Sequence, residues 1–458
     1  MIALCAGFAS CGGGNHSSSS SSSKSTSTST SSSTSSVELK TLSAPKNLEY
    51  YSNDGGGDEL WGGVSYVVSW DYVKNADGYA VSINGEELET DETKINLTDY
   101  IEFGEETTIT VWTKGDGAVY GDSEEVEFSF TPREVTGGIF YRYEGSFKGY
   151  SVSVKDENEW HEDLTVSFPD KYQHVPITRI GQYRNKKVES VFIPKNVKYI
   201  SSSGFSSCVS LKTVTIEEGS ELEEIKGGAF PNRQAIIEKI EIPKSVQTIE
   251  NKALPRFKEI VVDEENENYC SIDGNLYSKD GTQFIQYAGA KEAEEFTVPS
   301  TVTEVMPYSF TGCEYLKRVK FDCVIEYNDM AIFYMCPALE SVELKPGKMI
   351  YAFLIEQQCE NFKQIDFPEG LEQFYVAFLT HNIKTVVLPQ SLQKIHMESI
   401  NSVKGPVSLY YKGTATQWQT VEYEESEKIT VYFYSEDEPT EEGNFWHYDN
   451  DGNAVIWA

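Results

Sequence analysis

The chain has 458 residues, with 72 acidic against 38 basic side chains and a formal charge of −34 at pH 7. Hydrophobic residues make up 39 % and aromatics 13 %, too much apolar material for a disordered chain. No apolar run is long enough to cross a membrane as a helix, and the acidity opposes phosphate backbones and anionic headgroups, so no nucleic-acid partner is expected.

Residues 1–10 form a short apolar run that ends in small side chains just before Cys11. Phe8-Ala9-Ser10-Cys11 resembles a lipobox, in which small residues fit a narrow peptidase pocket and the cysteine thiol accepts a diacylglyceryl group. No Lys or Arg precedes the run, so residues 1–10 are expected to be a signal peptide truncated at its start. Cys11 is then the lipid attachment site and the only contact with the membrane. Residues 11–40 are the anchor and linker. Nineteen of the twenty residues from 17 to 36 are Ser or Thr, a tract with almost nothing to bury. At coil dimensions ~30 residues hold the next domain about 30 Å from the anchor.

Residues 41–133 read as short strands with turn signals between them. Val67-Val68-Ser69-Trp70, Thr108-Ile109-Thr110-Val111-Trp112 and Val126-Glu127-Phe128-Ser129-Phe130 alternate. Tyr79-Ala80-Val81-Ser82-Ile83 alternates and ends at Asn84-Gly85, a hairpin turn. This pattern predicts a β-sandwich. Pro45, Trp70 and Tyr79 resemble those of a fibronectin type III module, although Thr108 stands where that family carries Tyr. The resemblance implies a spacer or accessory binding module.

From residue 135 to 405 the chain repeats itself. Strand centres fall at Phe168, Ile193, Ile216, Ile242, Val262, Val298, Phe321, Leu344, Phe367 and Leu388, in steps of about 23 residues. One long step holds an insertion over roughly 263–290. Phe205, Cys208, Leu211, Val214 and Ile216 set an internal register. Phe310, Cys313, Leu316, Val319 and Phe321 repeat it, as do Phe333, Cys336, Leu339, Val342 and Leu344. The next unit keeps Cys359, Phe362, Ile365 and Phe367, with Glu356 in the Phe position. The last two positions of a unit alternate, so both point to one face of a strand. Pro169, Pro194, Pro243, Pro299, Pro368 and Pro389 follow directly and turn the chain out of that strand. A unit this short cannot bury its apolar side alone, but stacked units can. The period therefore predicts a solenoid with a ladder of parallel strands, its return segments being turns or single helical turns.

This register resembles the BspA-type leucine-rich repeats of bacterial surface proteins. The matching runs are Ile242-Pro243-Lys244-Ser245-Val246 with Ile249 and Ala253, and Val298-Pro299-Ser300-Thr301-Val302 with Val305 and Phe310-Thr311-Gly312-Cys313. Asp273-Gly274-Asn275-Leu276-Tyr277 and Lys279-Asp280-Gly281-Thr282 resemble that family's insertion. The resemblance implies display at the cell surface, outside the cell. It also implies adhesion, meaning binding of a protein or glycan ligand on host matrix, host cells or other bacteria. Residues 406–458 depart from the register and read as an atypical C-terminal β cap, with Trp418, Trp446 and Trp457 as its packing; an aromatic carbohydrate platform is the alternative. The fold class is thus mainly β: a sandwich, then a leucine-rich repeat solenoid, then a cap.

The chemistry of an enzyme is not legible. There is no His-Glu-x-x-His, Cys-x-x-Cys, Gly-x-Ser-x-Gly or phosphate-binding Lys loop. His16, His161, His174, His381, His396 and His447 are scattered. No catalytic residue, metal or cofactor is expected. Cys208, Cys313, Cys336 and Cys359 share one repeat position, which predicts a column of buried thiols, with a disulfide between neighbours or a metal as alternatives. Asp449, Asp451 and Asn453 around Gly452 lack the distal Glu of an EF-hand and read as a turn.

The candidate ligand face is the outward row of the ladder: Phe192, Thr215, Lys239, Glu241, Arg318, Lys320, Glu343, Asp366 and Val387. Phe192 and Val387 are its apolar members. An envelope protein with only a structural role, and a polysaccharide-active enzyme with the sandwich as accessory, are the competing readings.

Overall fold

The computed structural model describes residues 38–54, 64–136, 139–153, 164–231, 233–325, 327–328, 331–355, 358–378, 383, 385–396, 406–423, 427–450 and 452–457. The expected signal peptide, Cys11 and the Ser/Thr tract lie outside the described residues, as do His16, His161, Glu356, His381 and Asp451.

In the first unit, Glu49–Asp54, Val64–Ser69 and Lys94–Asn96 form one antiparallel sheet. Glu86–Thr90, Gly78–Ile83, Thr107–Lys114 and Val126–Phe130 form a second. The period-two pattern turns Val81, Ile83, Ile109 and Val111 into one core with Val68 and Trp70. The Trp70 ring sits 5.3 Å from that of Tyr79. Asn84 and Gly85 take positive φ values of 52° and 84°, the geometry a two-residue hairpin turn requires.

The repeats wind into a solenoid with two ladders. The larger ladder holds the strands anticipated from the register. Val191 pairs with Val214, Val319 with Val342, and Ile365 with Val386 and then Leu409, all in parallel. It continues past the last recognisable repeat. Val407–Tyr411 and Ile429–Tyr434 add as parallel strands, and the closing hairpin Phe445–Tyr448/Ala454–Ile456 follows. The ladder thus runs through residues whose sequence has left the register.

The second ladder was not anticipated. Val175–Ile180, Tyr199–Ile200, Glu224–Ile225 and Thr248–Ile249 pair in parallel on the return side of the coil. Its cause is the proline turn. The carbonyls of Pro194, Pro243, Pro299 and Pro389 each accept the amide three residues on, and the chain then extends far enough to bury Ile200, Ile249, Val305 and Ile395. The Phe-x-x-Cys-x-x-Leu segment is a run of tight turns: Phe205 O accepts from Cys208 N at 2.9 Å, and Cys208 O from Leu211 N at 3.1 Å. Among the described residues the only helices are Gly145–Phe147 and Ala415–Trp418.

Aromatic rings stack along the interior. Phe205, Phe230 and Phe257 follow one another at 5.5 and 5.2 Å, and Phe284, Phe310 and Phe333 at 5.2 and 4.8 Å. Cys336 lies between Cys313 and Cys359, within hydrogen-bonding reach of both thiols, so these three form a column. Cys208, Cys313, Cys336 and Cys359 are free and buried. Burial pushes the Cys208 thiol up to about 12.

The interior is divided at the insertion. Tyr269–Ile272, Asn275–Ser278 and Gln283–Gln286 make an antiparallel meander, and Gln283–Gln286 joins the second ladder beside Glu304–Val305. On either side lie two separate apolar clusters. Between them Arg256, Asn275, Gln286, Ser309 and Thr311 are all buried. Arg256 spans this polar seam. Its Nε donates to Ala235 O at 2.8 Å, its Nη1 to Gly312 O at 2.7 Å, and its Nη2 meets Glu314 at 2.9 Å. Gly289 sits in the same layer, where a Cβ would fall 2.2 Å from Pro255 O and 2.5 Å from Thr311 O. Arg256→Met keeps the apolar stem but orphans both carbonyls. It is expected to lower stability by about 1–3 kcal/mol, read by urea denaturation. An unchanged midpoint would mean that water replaces the guanidinium freely.

Candidate functional site

A strand in the larger ladder sends alternate side chains inward to the core and outward to solvent. The outward row is open over the middle coils. Thr213 and Thr215, Lys239 and Glu241, Glu295 and Thr297, Arg318 and Lys320, and Ser341 and Glu343 are all exposed. Their inward neighbours Val214, Ile240, Val319 and Val342 are buried, so register alone fixes which side chains a ligand meets.

The row is electrically self-matched. Arg318 Nε donates to Glu295 Oε1 at 2.9 Å, one coil earlier. Lys320 Nζ lies 3.1 Å from Glu343, one coil later, and 3.7 Å from Asp322. Lys239 pairs with Glu241 on its own strand. At the edge of the row Lys212–Glu189, Lys258–Glu238 and Lys317–Glu294 tie coil to coil at 2.7, 3.0 and 2.8 Å. The neighbouring carboxylates raise the Lys320, Arg318 and Lys239 pKa values, which fixes their positive charge. Such exposed pairs are screened by water and salt and stabilise the fold little. They set the charge pattern of the face and contribute little to holding the coils.

Both ends of the row are covered, and this corrects two of the expected residues. Phe192 is not open: the Arg133 guanidinium lies 4.4 Å over its ring. That arginine arrives from the junction with the first unit. There Asp170 is buried and accepts Ser52 N at 2.8 Å, Ser52 Oγ at 2.7 Å and Arg133 Nη2 at 2.8 Å. Asn53 and Asp54 also pair in parallel with Lys171 and Tyr172, so the sheet of the first unit runs on into the second ladder. Val387 is fully buried rather than outward and open, packed with Tyr410, Trp446 and Ala454. Asp366 is half-buried, bound to Lys412 Nζ at 2.7 Å and to the Tyr448 hydroxyl.

The covers left traces that the register argument did not use. Outward positions turn apolar at Phe192 and again at Val387, Tyr410 and Tyr432, whereas over the middle coils they are small or charged except at the half-buried Val261. Trp446 and Trp418 are buried in the cap, and Trp457 stacks on His447 at 3.8 Å. The Asp449 turn is closed by Asn453 N donating to Asp449 Oδ1 at 2.8 Å. Among the described residues no group of three His, Cys, Asp or Glu side chains is placed to hold a metal ion, and no helix is long and apolar enough to cross a membrane.

The family whose pattern matches is described as BspA type Leucine rich repeat region, in six copies over residues 178–287 and 286–404. Residues 178–404 are BspA-type leucine-rich repeats. Among solved structures, the chain is similar to a leucine-rich cell-surface protein of Faecalibacterium prausnitzii, at 18 % identity over 65 % of this chain and 99 % of that one, TM-score 0.39. It is similar to the pneumococcal vaccine antigen PcpA at 19 % identity, over 66 % of this chain and 93 % of that one, TM-score 0.36. A leucine-rich repeat protein of Eubacterium ventriosum is 20 % identical over 57 % of this chain and 85 % of that one, TM-score 0.36. No curated protein matches the chain. The BspA-type region spans the open row from Thr213 to Glu343 and both of its neighbouring covers' contact points at Phe192 and Val387.

Proposed function

We propose that this protein is a non-enzymatic adhesin displayed outside the cell, which binds a protein or glycan ligand through the open stretch of its outer ladder face. The observation that carries the reading is the row from Thr213 to Glu343, exposed at Thr213, Thr215, Lys239, Glu241, Glu295, Thr297, Arg318, Lys320, Ser341 and Glu343 and backed by a fixed core. Extended sheet faces of solenoids are their usual binding surfaces. The BspA-type repeats support surface display. Lipidation at Cys11, a flexible Ser/Thr tether and a fibronectin type III-like spacer over 41–133 belong to the same reading. The three-strand and four-strand sheets around Trp70 support the last of these.

The test is binding of the full chain to immobilised matrix proteins and host-cell glycans, wild type against Arg318→Glu/Lys320→Glu. The double reversal sets new carboxylates against Glu295 and Glu343 and is expected to weaken binding at least about tenfold, a charge-complementarity effect. A captured ligand whose affinity is unchanged would remove this face from consideration. Turnover of any glycan that is lost on a single Asp or Glu change would replace adhesion with catalysis.

A further inference from the structure

The closing hairpin has a core of its own. Trp446 is fully buried, yet it lies outside the interior cluster, in a small group with Val387, Tyr410 and Ala454 on the outer side of the ladder. Tyr432 and Tyr448 pack against the same group. Side-chain contacts pin the hairpin across successive coils: Trp446 Nε1 to Tyr411 O at 3.0 Å, Tyr448 hydroxyl to Asp366, and Ala454 N to Gln364 Oε1 at 3.2 Å. A short parallel pairing also holds it to the end of Ile429–Tyr434, with Ser435 N donating to Trp446 O at 2.9 Å and Trp457 Nε1 to Ser435 O at 3.0 Å. The connection from Ile429–Tyr434 is residues 435–444, which form no strand or helix, are mostly exposed, and carry Glu436, Asp437, Glu438, Glu441 and Glu442.

We propose that the hairpin Phe445–Ile456 is a strap closed over the outer face of the last coils, and that it opens as a unit without disturbing the interior. Three features argue for this. Its apolar contacts are separate from the stacked rings, so releasing it leaves Leu409 and Ile365 buried. Its core is small, and local stability follows buried apolar contact. Its linker is already solvated and repels itself by charge, so little is lost when it extends. Opening bares Gln364, Asp366, Val387, Tyr410 and Tyr432, which lengthens the outward row and adds an apolar, aromatic strip to it. The strip would take an extended or hairpin segment bearing an aromatic side chain, which is what it holds when closed. Only this consequence for ligand access rests on the function proposed above; the opening itself needs no ligand to be seen.

Hydrogen exchange on the full chain tests the opening. In the wild type, residues 445–457 are expected to exchange at least about tenfold faster than 407–411. Trp446→Ala should accelerate them further and leave 310–344 unchanged. Tyr448→Phe, which deletes one hydroxyl and fills the same space, should accelerate 445–457 by about tenfold. A synthetic peptide of residues 443–457, added in trans, should bind Trp446→Ala and not the wild type. Equal protection of 445–457 and 407–411 in the wild type overturns the proposal, as does deprotection of 310–344 by Tyr448→Phe. Failure of the peptide to bind an opened variant rejects the strip as an acceptor, independently of any ligand on the middle coils.

Discussion

Phe310→Ala is expected to cost about 3–5 kcal/mol of stability, the largest effect of any single truncation proposed for the interior. The ring is completely buried. It stacks on Phe333 at 4.8 Å and meets Phe284, Tyr287, Phe296 and Phe321 at 5.2, 5.5, 6.0 and 6.2 Å. Truncation removes transfer free energy and leaves a cavity that the coils on both sides, fixed by their ladder hydrogen bonds, cannot close. Because each coil touches only its neighbours, the damage should stay local to the coils from Phe284 to Phe333. Urea denaturation followed by circular dichroism reads the loss, with Phe205→Ala as the counterpart in the other cluster. A loss under about 1 kcal/mol would mean that the coils are held by their backbone ladders and that the rings merely fill space.

Asp170→Ala is the second large effect, about 3–5 kcal/mol, because it strands a charge. Its carboxylate is the acceptor for Ser52 N, Ser52 Oγ and Arg133 Nη2, and only 6 % of the side chain is exposed. Without it Arg133 keeps Ser167 Oγ at 3.1 Å and Phe168 O at 2.9 Å but has lost its close counter-charge. Glu217 stands 3.9 Å away, and burial raises its pKa, so it is a poor substitute. The expected result in calorimetry is a first unit that melts separately and earlier than the solenoid. Asp170→Asn, which retains an acceptor oxygen, should restore part of the coupling. A single unshifted transition in both variants would show that the strand pairing of Asn53 and Asp54 with Lys171 and Tyr172 suffices by itself.

The repeat was legible because burial at Val214, Val319 and Val342 imposes the same two-residue alternation on every coil, and because Cys313, Cys336 and Cys359 stand at matching offsets. The second ladder was harder to read. Its strands are two residues long at Tyr199–Ile200, Glu224–Ile225 and Thr248–Ile249, too short for any alternation to register. The covers over Phe192 and Val387 come from residues 59 and 59 positions away in sequence, Arg133 and Trp446, and long-range docking leaves no periodic mark. Register points the side chains of the outward row to solvent over the middle coils and points Phe192 and Val387 the same way, although both are covered. Register dictates which way a side chain points, and says nothing about what comes to rest on it.

The polar layer at Arg256 acts as a bulkhead. A defect on one side, such as a hole near Phe205, meets a layer of buried polar groups before it reaches Phe284, so the two greasy compartments can fail one at a time. The same wall lets coils be gained or lost at a distance from it without any change to the residues that seal it. A lineage carrying this architecture could therefore vary the length of its reach while its midpoint stayed as it is.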